Sequence, residues 1–160
     1  MAIEIDAFTP EDVAYVAANL TEADELEITT AGGQTPQEAL EWAIKVSSDS
    51  FAVFPILDSV RHAPVALFGI VPDTERSPGM AVIWLVSTPM LLSTSRSILH
   101  DAKQWIAEWL VQYPKGLHNL VDSRNERHIR WLKKMGAKFV PDMGKTIRGV
   151  PFLYFVIGAR

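Results

Sequence analysis

Three sets of residues have side chains whose type and spacing can do chemistry. The first lies in the run Asn119 to Gly136, where His128 follows Asn125 by three residues. A histidine titrates near neutrality and can move a proton there. It can equally serve as a hydrogen-bonded structural residue. Asn125 can bond a ligand amide, or close its own turn with its side chain. The second set is Asp24 and Glu27, three apart in an acidic cluster with Glu22 and Glu25. Such carboxylates can deprotonate an amine, or they can form a solvated helix face. The third is Ser93, Thr94 and Ser95 with Arg96, hydroxyls and a cation at a helix start. They can bind an anion or simply cap the helix.

Other chemistries are poorly served. The 160 residues include no cysteine, which excludes disulfides, thiolate metal sites and a cysteine nucleophile. No His, Asp and Glu spacing suggests a metal site, and no nucleophile-elbow context surrounds a Ser. A formal net charge of −4 argues against nucleic-acid binding by bulk charge. The basic residues nonetheless crowd the stretch from Arg124 to Arg148. No apolar run approaches the ~18 residues of a membrane span. The start, Met-Ala-Ile-Glu-Ile-Asp, is not that of a signal peptide.

The elements that must position these residues can be read in order. With 48% hydrophobic and 21% charged residues, the chain is globular, and its length suits a single domain over 1–160. Ile3 to Ala7 reads as a short strand. Thr9-Pro10 and Thr35-Pro36 each start a helix, and Thr21 can cap a turn or helix that Gly32-Gly33 ends. Ser50–Leu57, Val65–Val71 and Met80–Ser87 form a three-strand meander. Pro55 suggests an edge or bulge in its first strand, and the first connection, Asp58–Pro64, is longer than a two-residue turn. Gly69 marks a close approach. The third strand, apolar on both faces, is central.

A long helix over about Thr94–Gln112 buries Ile98, Ala102, Trp105, Ile106, Trp109 and Leu110. It leads to a strand at Leu117–Val121, parallel to the third. Ser123 is the expected N-cap of the next helix, with Glu126 as its capping-box partner and Gly136 as the left-handed residue after its end. Ala137–Val140 and Pro151–Ile157 close with an antiparallel hairpin. The sum is a mixed α/β fold: about six or seven strands, mostly antiparallel, one parallel join, helices on both faces.

That order is similar to the acyl-CoA N-acyltransferase (GNAT) fold, whose second half has an Asn after the fifth strand, a helix, and then Gly. Here those are Asn125, Trp131-Leu132-Lys133-Lys134 and Gly136-Ala137. A narrower likeness covers about Asp24 to Phe155. It rests on Asp24 with Glu27, on Pro64-Val65-Ala66-Leu67-Phe68-Gly69, on Trp84-Leu85 with Thr88, and on Asn119-x-Val121-x3-Asn125-x2-His128-Ile129-Arg130-Trp131-Leu132-x3-Gly136-Ala137. In these residues the chain resembles small tailed-phage proteins that include the internal virion protein A of T7-like phages. The likeness implies a phage or prophage protein in virion assembly or inside the virion, made in the host cytoplasm. Its partners would be other phage structural proteins or a second copy of itself.

If the fold is used for acyl transfer, the resemblance implies an acetyl-CoA site. Leu85, Val86 and Ser87 would meet the pantetheine arm, Ser93 to Arg96 the pyrophosphate, and Asn125 a pantetheine amide. His128, Asp24 and Glu27 would be the acid or base. Two departures favour a silent site that requires no cofactor. Thr88 to Arg96 contains no glycine where the family has a glycine loop, and Leu132 stands where the family has its Tyr acid.

Overall fold

The computed structural model describes residues 2–158, without the side chains of residues 92–95. One sheet organises them. Its strands are β1 (Ala2–Asp6), β2 (Asp49–Leu57), β3 (Val60–Arg61), β4 (Ala66–Pro72), β5 (Met80–Ser87), β6 (Gly116–Asp122), β7 (Lys138–Phe139), β8 (Lys145–Ile147) and β9 (Val150–Ile157). The order across the sheet is β1-β2-β4-β5-β6-β9-β7, with β3 on β2 and β8 on β9. Every pairing is antiparallel except β5 with β6. Seven strands form the main path, as the sequence implies; β3 and β8 are too short to show in a hydropathy pattern.

The helices are α1 (Pro10–Ala18), α2 (Glu22–Gly32), α3 (Pro36–Val46), α4 (Ser95–Gln112) and α5 (Glu126–Lys134). Thr9 and Thr35 make full capping boxes with Asp12 and Glu38, each followed by proline. One apolar core holds Phe68, Ile83, Ile98, Ile106 and Trp109 beneath α4; the other holds Val13, Val16, Leu40, Leu67 and Val86. α2 meets the second core through half-buried Ile28, while its one fully buried side chain is Asp24.

Two local expectations, the link after β2 and the cap of α5, need correction. The link after β2 does contain a two-residue turn: Asp58 and Ser59 have φ of 50° and 63°, and β3 pairs straight back on β2. Pro55 sits at a bulge, one of the two expected settings, rather than on an edge strand: between Ile56↔Arg61 and Val53↔Ala66, residues 54–55 of β2 stand against 62–65 of the returning chain. It pairs with Ile3 of β1, and lies beyond Val53↔Ala66, where pairing with β4 ends, so its missing N–H breaks no ladder there. Ser123 does not cap α5. The helix begins later, with Asn125 at the N-cap position, and the Asn125 side chain is engaged elsewhere. Gly136 (φ 90°) does follow the helix end in the left-handed region, with Ala137 N–H bonded to Leu132 C=O. Gly69 meets the expected close neighbour, since a Cβ there would lie 2.7 Å from the Trp84 ring.

Candidate active site

The parallel join is short. β5 and β6 pair only over Met80↔Gly116, Ala81↔Leu117 and Val82↔His118, and then separate. Asn119 fills the point of divergence: its Nδ2 donates to Ile83 C=O at 2.8 Å, and its Oδ1 accepts from Leu120 N–H at 2.7 Å. One side-chain amide thus stands in for a ladder step. Beyond it the two strands expose backbone to a gap. Ile83 C=O and Ser87 N–H both turn toward that gap, so Leu85, midway between them, turns its N–H and C=O the same way. Val86 faces the opposite edge, opposite Leu67 of β4. Of the residues expected to meet a pantetheine arm, Leu85 therefore has its backbone facing the gap, Ser87 is occupied, and Val86 is turned away.

The mouth of the gap is closed by α2. Asp24 is buried there, and its Oδ2 accepts from Ser87 N–H at 2.8 Å and Ser87 Oγ at 3.1 Å. Its Oδ1 accepts from Asn125 Nδ2 at 2.8 Å. Glu27, one turn on, accepts from Asp122 N–H at 2.9 Å and lies 3.5 Å from Asn125 Nδ2. The two carboxylates thus take the last backbone donors of β5 and β6, and Asn125 ties them together. The acids form no solvated face; they point inward because the gap leaves backbone donors to be satisfied. Asn125 neither caps its helix nor closes its own turn by its side chain.

This arrangement tunes the acids. Burial pushes Glu27 up to about 7; the Asp122 N–H bond opposes this, and nearby Asp24 adds to it. Burial also raises Asp122, yet the Arg124 side chain and backbone N–H outweigh that and hold it below the usual carboxylate range. His128 is pushed down by burial, against the pull of Asp24, so it sits in the neutral form near neutrality. Its Nδ1 is buried without a partner, as is Trp131 Nε1 beside it.

Two cavities meet at this point. An open cleft of about 710 Å³ lies outside the gap, bordered by Thr21, Asp24, Leu91, Arg127, Arg130 and Lys134. Arg127, Arg130 and Lys134 recur at helical spacing along α5, and among the described residues none has an ion-pair partner. Arg124 is committed to Asp122 and to Thr30 of α2. Further in is a mostly apolar cavity of about 180 Å³, and Leu85, His128 and Trp131 border both spaces.

The stretch expected to hold a pyrophosphate, Ser93–Arg96, spans the end of a 3₁₀ turn (Pro89–Thr94) and the start of α4. The Ser93, Thr94 and Ser95 side chains lie outside the described residues; Arg96 is exposed on the first turn of α4. Leu132, where the related fold has its Tyr, is buried in the core. Among the described residues no group of three or more His, Cys, Asp or Glu could hold a metal ion, and no helix is long and apolar enough to cross a membrane.

The sequence missed a second polar cluster, near the closed end of the join. His118 Nε2 is 2.9 Å from Asp73, and its Nδ1 is 2.7 Å from the Tyr154 hydroxyl. Nothing in the spacing of residues 73, 118 and 154 announces it, because only the pairing of β6 with β9 brings His118 near Tyr154. Asn119 and Asp122 were also missed as site residues, although Asn119 opens the motif that carries the resemblance.

No protein-family model matches the chain, and no curated protein does. Solved structures share its fold. An acetyltransferase of the GNAT family from Bacillus anthracis matches with a TM-score of 0.67 at 13% identity, over 98% of this chain and 95% of its own. AAC(6')-Ib, in complex with paromomycin and acetyl-CoA, gives 0.61 at 16%, over 98% and 93%. A chimera of spermidine N-acetyltransferase SpeG from Vibrio cholerae and hSSAT gives 0.63 at 12%, over 98% and 95%. At such identities the likeness is one of fold. The chain has a GNAT-like fold, with the β5–β6 join as its one parallel pairing. These likenesses say nothing of a phage origin or a virion role.

Proposed function

We propose that this protein is an acyl-CoA-dependent N-acyltransferase with an atypical pyrophosphate loop. The observation that carries this is the gap between β5 and β6, where Leu85 offers an N–H and a C=O to an extended amide-bearing arm. Solved structures of the same fold include one in complex with acetyl-CoA. The exposed cations of α5 suit the phosphates of a coenzyme, in place of the glycine loop that Thr88–Arg96 lacks. Leu85 would align the pantetheine arm, leaving the thioester carbonyl beside His128 and Glu27. An acceptor amine would attack that carbonyl: a C–N bond forms, the C–S bond breaks, and the thiolate leaves to be protonated. The amine proton goes to Glu27, whose pKa of about 7 suits a base at neutral pH. The Asp122 N–H and the Asn125 amide hold Glu27 in place.

The test is a calorimetric titration of acetyl-CoA into the protein. Saturable micromolar binding is expected; affinity no better than about 1 mM, roughly −4 kcal/mol, would sink the proposal. A second reading is favoured by two observations, the burial of Leu132 and the occupation of the Ser87 N–H by Asp24. In it the fold is catalytically silent and serves virion assembly or the virion interior of a phage. That reading predicts no acyl-CoA binding and genes for head and tail proteins beside this one.

A further inference from the structure

We propose that the 180 Å³ cavity is an acyl pocket, sized for a donor thioester of about six carbons rather than for acetyl. The inference rests on the acyl-CoA reading above and names its donor. The cavity crosses the sheet through the β5–β6 gap. Ile83, Phe68, Ile98 and Trp105 line it on the α4 side, and Leu40 and Val86 on the other. Only a break in the ladder permits such a passage, and the break is where an acyl group would enter.

The lining is nearly all apolar, and a cavity of that kind stays dry or takes an apolar guest. An apolar cavity of about 150 Å³ holds a six-carbon ring. Two acetyl carbons would leave most of this one unfilled. Glu27 and Asn119 border it beside β6, and His128 and Trp131 at the end shared with the outer cleft. There His128 Nδ1 and Trp131 Nε1 are buried without partners. Trp131 Nε1 can only donate, so what it lacks is an acceptor, which a thioester carbonyl oxygen supplies. An apolar chain inward and a carbonyl at the donor end describe one acyl thioester.

The experiment compares CoA, acetyl-CoA and hexanoyl-CoA by calorimetry at one salt concentration. Burial of each added methylene should tighten binding about fourfold, so hexanoyl-CoA should bind at least tenfold more tightly than acetyl-CoA. Equal affinities would overturn the acyl pocket and leave the acyl-CoA reading standing. Failure of all three to bind would overturn both. Ala102→Leu and Ala43→Leu place carbon in the cavity from opposite faces of the sheet. Each, if its thermal melt shows it folded, should erase the preference for hexanoyl-CoA; a preference that survives in both overturns the pocket.

Discussion

Glu27 shows how one side chain ties the site to stability. In the folded protein it keeps its proton up to about pH 7, whereas its ordinary value is 4.5. Between those values the folded state binds more protons than the unfolded one, so stability falls as pH rises. The full effect is up to roughly 3 kcal/mol. His128 acts in the opposite sense over part of the range. Burial lowers its pKa below 6.5, so its contribution raises stability as pH climbs toward that value. Comparison with Glu27→Gln isolates the carboxyl. In urea unfolding, the wild type should lose stability relative to the variant between about pH 4.5 and pH 7. A difference that does not change with pH would mean that Glu27 is ionised throughout. If the protein is an acyltransferase, its rate should also rise through about pH 7 and fall at least a hundredfold in Glu27→Gln. The sequence showed that Asp24 and Glu27 share a helix face. It could not show that this face turns inward, because the cause is a backbone donor on another element nearly a hundred residues away. The N-cap of α5 was misplaced for a related reason: Ser123 and Glu126 have the spacing of a capping box, but Asn125 bonds Asp24, and the helix starts where that bond allows.

Among the elements, α2 and the β4–β5 pair make the sharpest predictions. Asp24 accepts three hydrogen bonds in a buried setting. Asp24→Ala leaves Ser87 N–H without its acceptor and the Asn125 amide with the long 3.5 Å bond to Glu27, and should cost about 3 kcal/mol in urea unfolding, Asp24→Asn clearly less. A loss below about 0.5 kcal/mol would show that water reaches those donors freely. Gly69→Ala drives a methyl into the ring of Trp84, whose Nε1 bonds Ser47. That should destabilise by about 1–3 kcal/mol. The helices with strong sequence signals, α1 and α3, carry a threonine, a proline and an acid at fixed spacing. The strands β2, β4 and β5 carry unbroken apolar runs. α2 was hard to read because it lacks an apolar stripe: its attachment is polar, and hydropathy has nothing to report there. β3 and β8 escaped notice because two or three residues make no pattern.

On the scale of the molecule, charge and seam matter together. The chain is acidic overall, yet its unpaired α5 cations border the outer cleft. Attraction of a polyanionic coenzyme there should be screened by salt, so its affinity should fall at least tenfold between about 0.05 M and 0.5 M. Arg127→Ala with Arg130→Ala should flatten that dependence; a salt-independent affinity in the wild type would place the phosphates elsewhere. The meander, the parallel crossover and the antiparallel pairing of the last strands were legible; that β9 lies between β6 and β7 was not. Where β5 leaves β6 was not legible, since β5 stays apolar through Val86 and β6 returns to Leu120-Val121 after Asn119.

α2 spans that divergence. Asp24 and Thr21 fasten it to Ser87 of β5, Glu27 to Asp122 at the end of β6, and Thr30 to Arg124 just after it. Arg148, from the β8–β9 turn, donates to the Thr30 and Ala31 carbonyls near its end. A helix held mainly by polar bonds, with Ile28 against the second core, can detach while exposing little hydrocarbon. Its amide hydrogens should therefore exchange through a local opening that denaturant barely accelerates. Those of Ile106 and Trp109 in α4 should exchange only with global unfolding and respond steeply. Native-state hydrogen exchange across a denaturant series would separate the two, and would identify α2 as the part of the molecule that moves first.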